Sequence, residues 1–257
     1  MTGHGMMAIE RAPDLTVVVP TFNEAANVRP LAAKLAAALQ GIAFEVIFVD
    51  DDSPDGTAEE ARALGREDPR IRCIRRIGRR GLSGACVEGM LAGQGPVVAV
   101  IDGDLQHDET VLPTLYRLIA SGEADLAVAS RYVEGGDASS FSGLRGKGSR
   151  LATDLARKAL QVDFSDPMSG FFATRREVVE QAAPKLSGEG FKILLDLAAS
   201  HPGKLKVVET PYIFGQRLHG DSKMDSRVVA DFLGLLVAKA TGAVSYTHLR
   251  AHETEAD

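Results

Sequence analysis

Residues 44–57, FEVIFVDDDSPDGT, decide the fold class of this chain. Residues 44–49 form a nearly continuous apolar run, which predicts a strand that is buried on both faces of a sheet. The turn that follows holds four acids, a proline and a glycine, and residue 57 opens a segment with helical spacing of its apolar residues. A buried strand that leads through a polar turn into a helix is the repeating unit of a parallel α/β sheet.

The same unit recurs on both sides of this stretch. Further strands are predicted at residues 15–20, 71–74, 97–101 and 125–129, and helices at residues 23–39, 57–64, 82–91 and 109–119. This alternation predicts an α/β fold with a mostly parallel sheet and helices on both faces. Residues 132–148 are rich in glycine and serine and predict a long loop. Strands near residues 170–173 and 205–209 follow, with helices at residues 149–160, 191–199 and 226–239.

Composition narrows the classes of partner. A net charge of −6 and an aromatic content of 5% argue against nucleic acid, whose binding proteins present basic and aromatic surfaces. No apolar run reaches the roughly 18–20 residues of a membrane-spanning helix, so we expect the chain to be soluble or to lie against a membrane. Cys73 and Cys86 lie in a predicted strand and a predicted helix, and we interpret them as reduced thiols in a cytosolic compartment.

Polar clusters follow four of the predicted strands. They are residues 20–24 (PTFNE), 50–56 (DDDSPDG), 102–106 (DGDLQ) and 130–132 (SRY). In an open parallel sheet, ligands bind beyond the carboxyl ends of the strands. The sequence therefore predicts a single site at this edge of the sheet.

Asp102 and Asp104 predict a metal site within that edge. Two carboxylates two residues apart on a turn can converge on one hard cation, and Mg²⁺ and Mn²⁺ prefer such oxygen ligands. Gln106 offers a further neutral oxygen. A solvated turn that caps the next helix is the simpler interpretation, but the buried strand just before these acids favours the metal. His107 either supports the acids or lies at the surface.

The acids at residues 50–52 and the glycine-rich start of a helix offer nucleotide contacts. A carboxylate at this edge can accept hydrogen bonds from a nucleobase or a ribose, and spacing alone does not decide which acid does so. Residues 81–84 (GLSG) could present backbone N–H groups to a diphosphate. The fingerprints of NAD-dependent dehydrogenases and P-loop enzymes are absent from the sequence, which disfavours both classes.

Basic side chains form a further group of candidate binding residues. Cations gathered in loops of an acidic protein suit an anionic partner such as a phosphate. Arg131 directly follows a predicted buried strand, which favours a functional role for it. The others are Arg145, Lys147, Arg150, Arg217 and Lys223, for which scattered solvated charge is the competing interpretation.

These motifs together resemble glycosyltransferase family 2. The resemblance rests on residues 19–24 (VPTFNE), 49–57 (VDDDSPDGT) and 102–107 (DGDLQH). Residues 130–132 (SRY), 166–172 (DPMSGFF) and 190–195 (GFKILL) narrow it to the dolichol-phosphate (polyprenol-phosphate) mannose synthases. The resemblance covers roughly residues 15–241. The sequence differs from the family motif Asp-Ala-Asp at Gly103, which takes the place of the alanine.

The resemblance implies a GT-A fold and a role for each matching residue. The nucleotide-sugar would contact Pro20, Thr21, Asn23, Glu24 and Asp52, to which the residue pattern adds Asp50 and Gly81. The metal would contact Asp102, Asp104 and Gln106, and the lipid phosphate would contact Arg131, Arg145 and Ser149. Arg217 and Lys223 match a segment that closes over the sugar donor. Asp102, Asp104 and Arg131 would be the residues on which catalysis depends.

The implied reaction is a metal-dependent, inverting transfer of a hexose, with mannose from GDP-mannose favoured, to a polyprenyl or dolichyl phosphate. We expect Mg²⁺ or Mn²⁺ as cofactor, a membrane surface as partner, and a location at the cytoplasmic face of the membrane. One alternative is transfer from UDP-glucose to undecaprenyl phosphate or to a sugar hydroxyl, and a hydroxyl acceptor would need a base such as Asp166. A non-catalytic nucleotide-sugar binding module is the more distant alternative.

The predicted domain spans residues 12–244. Residues 12–130 would form the nucleotide-sugar and metal half, and residues 131–244 the acceptor half. We expect residues 1–11 to be a flexible N-terminus. Residues 245–257 (SYTHLRAHETEAD) break from the rest in composition and periodicity, so we interpret them as a non-native tail.

Overall fold

The computed structural model of the chain describes residues 12–134, 164–167, 169–188 and 193–215. Within these residues, seven strands form one sheet in the order β3-β2-β1-β4-β6-β5-β7. The strands are β1 (Leu15–Thr21), β2 (Phe44–Asp50), β3 (Ile71–Arg75), β4 (Val97–Val100), β5 (Leu126–Ser130), β6 (Phe172–Arg175) and β7 (Val207–Pro211). The predicted α/β fold with a mostly parallel sheet is confirmed.

The strand β6 is the exception to the parallel pattern. It lies between β4 and β5 and runs antiparallel to both. Phe172, its first residue, therefore pairs with Val100, the last residue of β4. The turn before β6 consequently reaches the same edge of the sheet as the carboxyl ends of the other strands, and this was not predicted from the sequence pattern.

Helices cover both faces of the sheet. They are α1 (Ala25–Ala38), α2 (Thr57–Glu67), α3 (Leu82–Ala92), α4 (Leu112–Ala120), α5 (Arg176–Ala182) and α6 (Ile193–Ser200), with short 3₁₀ turns at Glu109–Val111 and Ala183–Lys185. Apolar residues of α1, α2 and α4 pack in one core cluster, and those of α3, α5 and α6 pack in the other. Helices on both faces are therefore confirmed.

The residues of β1 show how the sequence builds two cores from one strand. Val17 and Val19 belong to the cluster beneath α1, α2 and α4, whereas Val18 belongs to the cluster beneath α3, α5 and α6. Successive side chains of a strand point to opposite faces, so a continuous apolar run supplies both cores. The core lies under the carboxyl edge and holds its loops in fixed positions.

Several expectations lie partly outside the described residues. The predicted helices at residues 149–160 and 226–239 and both chain ends fall there, and the division into two halves stays a prediction. The helix predicted at residues 109–119 begins instead as a 3₁₀ turn, and α5 was not predicted. In the part of the chain that the structure describes, no helix has both the length and the apolar character needed to cross a bilayer.

Candidate active site

Hydrogen bonds join the loops after β1 and β2 at the carboxyl edge of the sheet. The backbone N–H of Asn23 donates to Ser53 Oγ (2.9 Å), and that of Glu24 donates to Thr57 Oγ1 (3.0 Å). Asn23 has a φ of 58°, a left-handed conformation that asparagine tolerates better than most residues. Four residues predicted to hold the nucleotide lie here: Pro20 and Thr21 end β1, and Asn23 and Glu24 follow in the loop after it.

The consecutive acids after β2 have different surroundings. Asp50 is fully buried, and its carboxylate accepts hydrogen bonds from the backbone N–H (3.0 Å) and the hydroxyl of Ser53. Asp52 is partly exposed and pairs with Arg75 Nη2 (2.7 Å), and this hydrogen-bonded pair lowers the pKa of Asp52. Asp50 thus stabilises the turn. Of the two acids predicted to contact the nucleotide, Asp52 is the one that presents its carboxylate at the surface.

Asp51 connects the same turn to the start of α3. Its carboxylate accepts hydrogen bonds from the Gly81 N–H (2.6 Å) and from Arg76 Nη1 (2.6 Å), and the Asp51 and Arg76 side chains are both buried. Burial raises the pKa of Asp51, although the Gly81 N–H and Arg76 oppose the rise. Because the Gly81 N–H already has an acceptor, the structure does not support the expectation that this N–H binds a diphosphate.

Asp102 and Asp104 follow β4 in a loop with several backbone hydrogen bonds. The Gln106 N–H donates to Asp104 Oδ1 (3.1 Å). Gln106 Nε2 donates to the carbonyl oxygen of Gly215 (3.1 Å), and the Gly215 N–H donates to the carbonyl oxygen of Gln106 (2.7 Å). The segment after β7 is therefore bound to the loop that carries both acids. Gln106 as a metal ligand stays a prediction, and its Oε1 is the atom that would serve.

The two carboxylates fit a divalent cation. Asp104 is 8% exposed, and Asp102 Oδ1 is buried without a hydrogen-bond partner among the described residues. A buried carboxylate oxygen is costly unless a donor or an ion satisfies it. Across the described ranges, no three side chains of His, Cys, Asp or Glu assemble as a metal site. Two carboxylates suit Mg²⁺ or Mn²⁺, because Mg²⁺ in particular takes its remaining ligands from water and substrate phosphates.

Gly170 lies against Asp102 just before β6. A Cβ atom at this position would lie 2.3 Å from Asp102 Oδ2 and 2.7 Å from Asp102 Cγ, far inside van der Waals contact. The antiparallel direction of β6 brings this turn to the end of β4. The Asp102 carboxylate therefore packs directly on the backbone, in space that a side chain at residue 170 would fill.

His107 contacts Asp102 from within the same loop. Its Nε2 lies 3.2 Å from Asp102 Oδ2, and the residue is 6% exposed. The ring centroids of Phe171, Tyr212 and Phe214 lie 5.4, 5.5 and 5.4 Å from that of His107. His107 is therefore a buried neighbour of the acids and not a surface residue.

Arg131 and Asp166 form a second cluster at the edge. Arg131 Nε and Nη2 donate to the two oxygens of Asp166 (2.8 and 2.9 Å), and the Asp166 side chain is fully buried. Burial lowers the pKa of Arg131, but the hydrogen bonds and charge of Asp166 outweigh this effect, so the pKa is raised. Glu209 of β7 holds the turn in place by accepting the N–H groups of Ser165 (2.8 Å) and Asp166 (3.2 Å).

Two aromatic residues after β7, Tyr212 and Phe214, lie close to both clusters. The Phe214 ring contacts that of His107, and its centroid also lies 5.4 Å from Arg131 Cζ. Burial raises the pKa of Tyr212, and charged groups of both clusters act on its hydroxyl: Arg131, Asp166, Asp102 and Asp104. The paired acids and the mostly buried arginine thus belong to one candidate site.

The remaining predicted residues lie outside the described part of the chain: Arg145, Ser149, Arg217 and Lys223. Conversely, Gly170, Tyr212 and Phe214 lie at the candidate site but were not predicted, and Asp51 was only one of three acids among which spacing could not decide. The aromatic residues of the segment YIFG at 212–215 directly follow a predicted strand, and that position was the available signal. No local pattern marks Gly170, because its partner Asp102 is 68 residues away in the sequence (170 minus 102).

Comparison with known proteins identifies the family of the chain. Residues 16–182 match the profile described as Glycosyl transferase family 2. A dolichol-phosphate mannosyltransferase of Saccharomyces cerevisiae is 33% identical over 229 residues, which cover 86% of this chain and 84% of that protein. The chain belongs to glycosyltransferase family 2. The predicted resemblance is confirmed, and with it the expectation of a glycosyltransferase.

A second relative is longer than this chain. The dolichol-phosphate mannosyltransferase of Pyrococcus furiosus is 41% identical over 222 residues, which cover 85% of this chain and 61% of the relative. This family 2 chain therefore spans about three fifths of that protein's length.

Solved structures agree on the fold. Glucosyl-3-phosphoglycerate synthase of Mycobacterium tuberculosis, in complex with Mn²⁺, UDP-glucose and phosphoglyceric acid, superposes with a TM-score of 0.64. The match covers 89% of this chain and 80% of the synthase at 22% identity, so it supports the shared glycosyltransferase fold and nothing finer.

Proposed function

We propose that this chain transfers a mannosyl residue from GDP-mannose to a polyprenyl phosphate, with inversion and with a divalent cation held by Asp102 and Asp104. The observation that carries the proposal is the juxtaposition of two opposite clusters at one sheet edge. Phe214 is in ring contact with His107, the neighbour of the two carboxylates, and its ring also lies near the mostly buried guanidinium of Arg131. Among the described residues, Asp102 Oδ1 is buried without a hydrogen-bond partner. The names of the two mannosyltransferase relatives support the sugar and the lipid phosphate.

The nucleotide side of the proposal rests on the loops after β1 and β2. Asn23 and Glu24 lie in the loop that follows Thr21, the last residue of β1, and the partly exposed Asp52 lies in the other loop. Asp52 pairs with Arg75 but is partly exposed, so its carboxylate can accept further hydrogen bonds from a base or a ribose, whereas the carboxylates of Asp50 and Asp51 are buried. These residues would hold the nucleoside so that the sugar points toward Asp102 and Asp104.

A divalent cation would be held by the carboxylates of Asp102 and Asp104, with Gln106 as an additional oxygen ligand. When bound there, it would supply positive charge that stabilises the leaving nucleoside diphosphate. Gly170 and the loop hydrogen bonds would keep the carboxylates in place, so that little reorganisation accompanies the reaction.

Binding of the acceptor would require a positively charged group, whereas deprotonation of the acceptor by a general base would not be needed. A phosphate monoester has a second pKa near ~6, so at neutral pH it is mostly a dianion and already a nucleophile. An oxygen of this phosphate would bond to the anomeric carbon from the face opposite the nucleotide while the bond to the diphosphate oxygen breaks. Arg131 would bring the anionic acceptor close to the anionic sugar donor, and Asp166 would hold the guanidinium in place.

The position of Asp166 also separates this proposal from transfer to a sugar hydroxyl. That reaction needs a general base within reach of the hydroxyl proton. Asp166 was the candidate, yet both of its oxygens accept hydrogen bonds from Arg131 and its side chain is fully buried. A phosphate acceptor is therefore the better fit to the described residues.

We further propose that the chain acts at the cytoplasmic face of a membrane. The hydrocarbon chain of a polyprenyl phosphate anchors the acceptor in the bilayer, and the free thiols of Cys73 and Cys86 fit the reducing side of it. Vesicles that carry polyprenyl phosphate should retain the protein during flotation, whereas vesicles without it should retain less. Equal retention on both kinds of vesicle would contradict recruitment by the acceptor.

The proposal is tested by measuring transfer of radiolabelled mannose from GDP-mannose to a short-chain polyprenyl phosphate. We expect label in the organic phase with Mn²⁺ or Mg²⁺ and none after EDTA treatment. Transfer from UDP-glucose in place of GDP-mannose would replace the sugar donor and keep the mechanism. Nucleotide binding by a folded protein, without transfer from either sugar donor, would favour the non-catalytic binding module.

A further inference from the structure

His107 has the surroundings of a core residue, although it lies in the loop of the predicted metal ligands. It is 6% exposed, and its ring is in contact with those of Phe171, Tyr212 and Phe214. The aromatic residues come from the position just before β6 and from the segment after β7, so two distant parts of the chain enclose one imidazole. An apolar side chain of similar size would fill this space without the cost of burying ring nitrogens.

The contact that explains a histidine here is the one with Asp102. Nε2 of His107 lies 3.2 Å from Asp102 Oδ2, while Nδ1 has no hydrogen-bond partner among the described residues. An ionised carboxylate can only accept, so the imidazole must carry its proton on Nε2 to make this hydrogen bond. Burial of the ring is therefore compensated by one specific interaction with one oxygen of Asp102.

The two oxygens of Asp102 consequently have different environments. Oδ2 is fixed by His107 and packs on the backbone of Gly170, whereas Oδ1 is buried and unpartnered in the described residues. A carboxylate held through one oxygen has its other oxygen fixed in direction. The aromatic rings keep the imidazole from rotating, and the paired hydrogen bonds between Gln106 and Gly215 hold the enclosing segment against the loop.

We propose that His107 is a positioning residue: it orients the Asp102 carboxylate so that Oδ1 is directed at the divalent cation. This inference rests on the proposed role of Asp102 as a metal ligand. Partners that hydrogen-bond metal ligands commonly set the ligand's orientation, and their loss typically weakens metal affinity by ~10- to 100-fold. His107 itself would touch neither the cation nor the substrates.

The test is a titration of the whole chain with Mn²⁺ alone, in which free Mn²⁺ is measured by electron paramagnetic resonance. His107→Phe keeps a ring in the aromatic enclosure and removes the donor, so we expect Mn²⁺ to bind ~10- to 100-fold more weakly. His201→Phe is the matched control, because His201 is partly exposed and bonds to Gln181 (3.0 Å) away from the acids. We expect it to bind Mn²⁺ as the unaltered chain does.

A second pair of variants separates positioning from packing. Gln at residue 107 carries an amide N–H at nearly the reach of imidazole Nε2, whereas Asn is too short. If His107 positions Asp102, His107→Gln should bind Mn²⁺ more tightly than His107→Asn, although both lose the ring. In the transfer assay, His107→Phe should show a raised KM for Mn²⁺ and a kcat that recovers at saturating Mn²⁺.

Two results would overturn the inference. One is unchanged Mn²⁺ affinity in a His107→Phe variant that still unfolds cooperatively. The other, which applies even if that variant fails to fold, is equal affinity in His107→Gln and His107→Asn. Asp102→Asn distinguishes this failure from failure of the proposed function. If it loses Mn²⁺ binding while the His107 variants do not, Asp102 is a ligand without this support; if it binds Mn²⁺ normally, the metal assignment itself is wrong.

Discussion

Asp102 and Asp166 are carboxylates at the same edge of the sheet, but their environments are opposite. Asp166 is fully buried, and Arg131 donates to both of its oxygens. Asp102 is partly exposed; His107 contacts one of its oxygens, and the other has no partner among the described residues. One carboxylate thus already has its cation within the chain, and the other is arranged to receive one.

The difference separates two uses of an acid in an active site. A buried carboxylate paired with arginine fixes the arginine, and its own basicity is of little use for chemistry. A carboxylate with an open oxygen beside a second acid is suited to hold a metal ion. Substitutions should therefore affect the two clusters differently: one side should change metal binding, and the other should change stability and acceptor binding.

The largest expected effect is on the metal side. Asp104→Ala removes one of the two carboxylates, and we expect the rate of sugar transfer to fall by at least ~100-fold, because charge on the leaving group is no longer offset. The fold should survive, since the backbone loop keeps its other hydrogen bonds. The measurement is label transfer at several Mn²⁺ concentrations.

Asp68→Asn is the matched control for this substitution. Asp68 pairs with Arg70 between α2 and β3, at the amino edge of the sheet and away from the site. It should transfer sugar at the unaltered rate. Near-normal transfer by Asp104→Ala would show that the paired acids are not the metal site and would remove the contrast with Asp166.

The next effect is on the arginine side and includes stability. Arg131→Ala leaves the buried Asp166 charge uncompensated, which typically costs ~3–5 kcal/mol of unfolding free energy. Urea unfolding measures this loss. Arg131→Lys keeps the charge but not the two-pronged geometry, so we expect a smaller loss of stability and a raised KM for polyprenyl phosphate.

The double variant Arg131→Met with Asp166→Leu sharpens the same comparison. Replacing a buried ion pair by apolar residues often restores stability, so we expect it to be more stable than Arg131→Ala and still inactive toward polyprenyl phosphate. Its binding of Mn²⁺ should be unchanged. Normal transfer by this double variant would exclude Arg131 from acceptor binding.

A smaller effect is expected at Gly170, which touches the metal side only. The Cβ of Gly170→Ala would displace the Asp102 carboxylate, because it would lie 2.3 Å from Oδ2. We expect Mn²⁺ affinity to fall by ~10-fold or more and unfolding free energy to fall by ~1–3 kcal/mol. Gly203→Ala is the control, since the nearest atom to its added Cβ lies at an ordinary 3.6 Å. Unchanged Mn²⁺ binding in Gly170→Ala would show that Asp102 does not need this close packing.

The sequence was sufficient for the sheet and for the edge at which the site lies. Short, nearly continuous apolar runs such as residues 44–49, alternating with helical segments, favour parallel strands buried on both faces, and the polar residues that follow such strands gather at one edge. The Asp102 and Asp104 pair and Arg131 were found in this way. Local sequence patterns predict secondary structure and the order of residues along the chain, but not contacts between distant segments.

The parts that were not predicted depend on contacts between distant residues. The antiparallel insertion of β6 puts Gly170 against Asp102, and only the folded chain reveals that contact. The surroundings of His107 likewise come from residues 171–214, so its burial could not be inferred from its position in the loop. Asp50, Asp51 and Asp52 have different partners and burial because the three carboxylates of this loop point in different directions, which their sequence positions do not reveal.

The smallest effect is expected at Gly103, between the two acids. A Cβ there would lie 3.1 Å from Thr21 Cγ2 and 3.4 Å from the carbonyl oxygen of Pro20, so a shift of a few tenths of an ångström would accommodate alanine. Its φ is not in the left-handed region, so alanine introduces no backbone strain.

Gly103→Ala removes freedom from the unfolded chain and should raise unfolding free energy by ~0.4–1 kcal/mol. Mn²⁺ affinity should stay within about threefold of its original value, since neither carboxylate must move. Thermal unfolding and the Mn²⁺ titration measure both quantities. A large loss of Mn²⁺ affinity with unchanged stability would mean that the loop must flex to bind its cation, and that the fixed geometry inferred for Asp102 does not extend to Asp104.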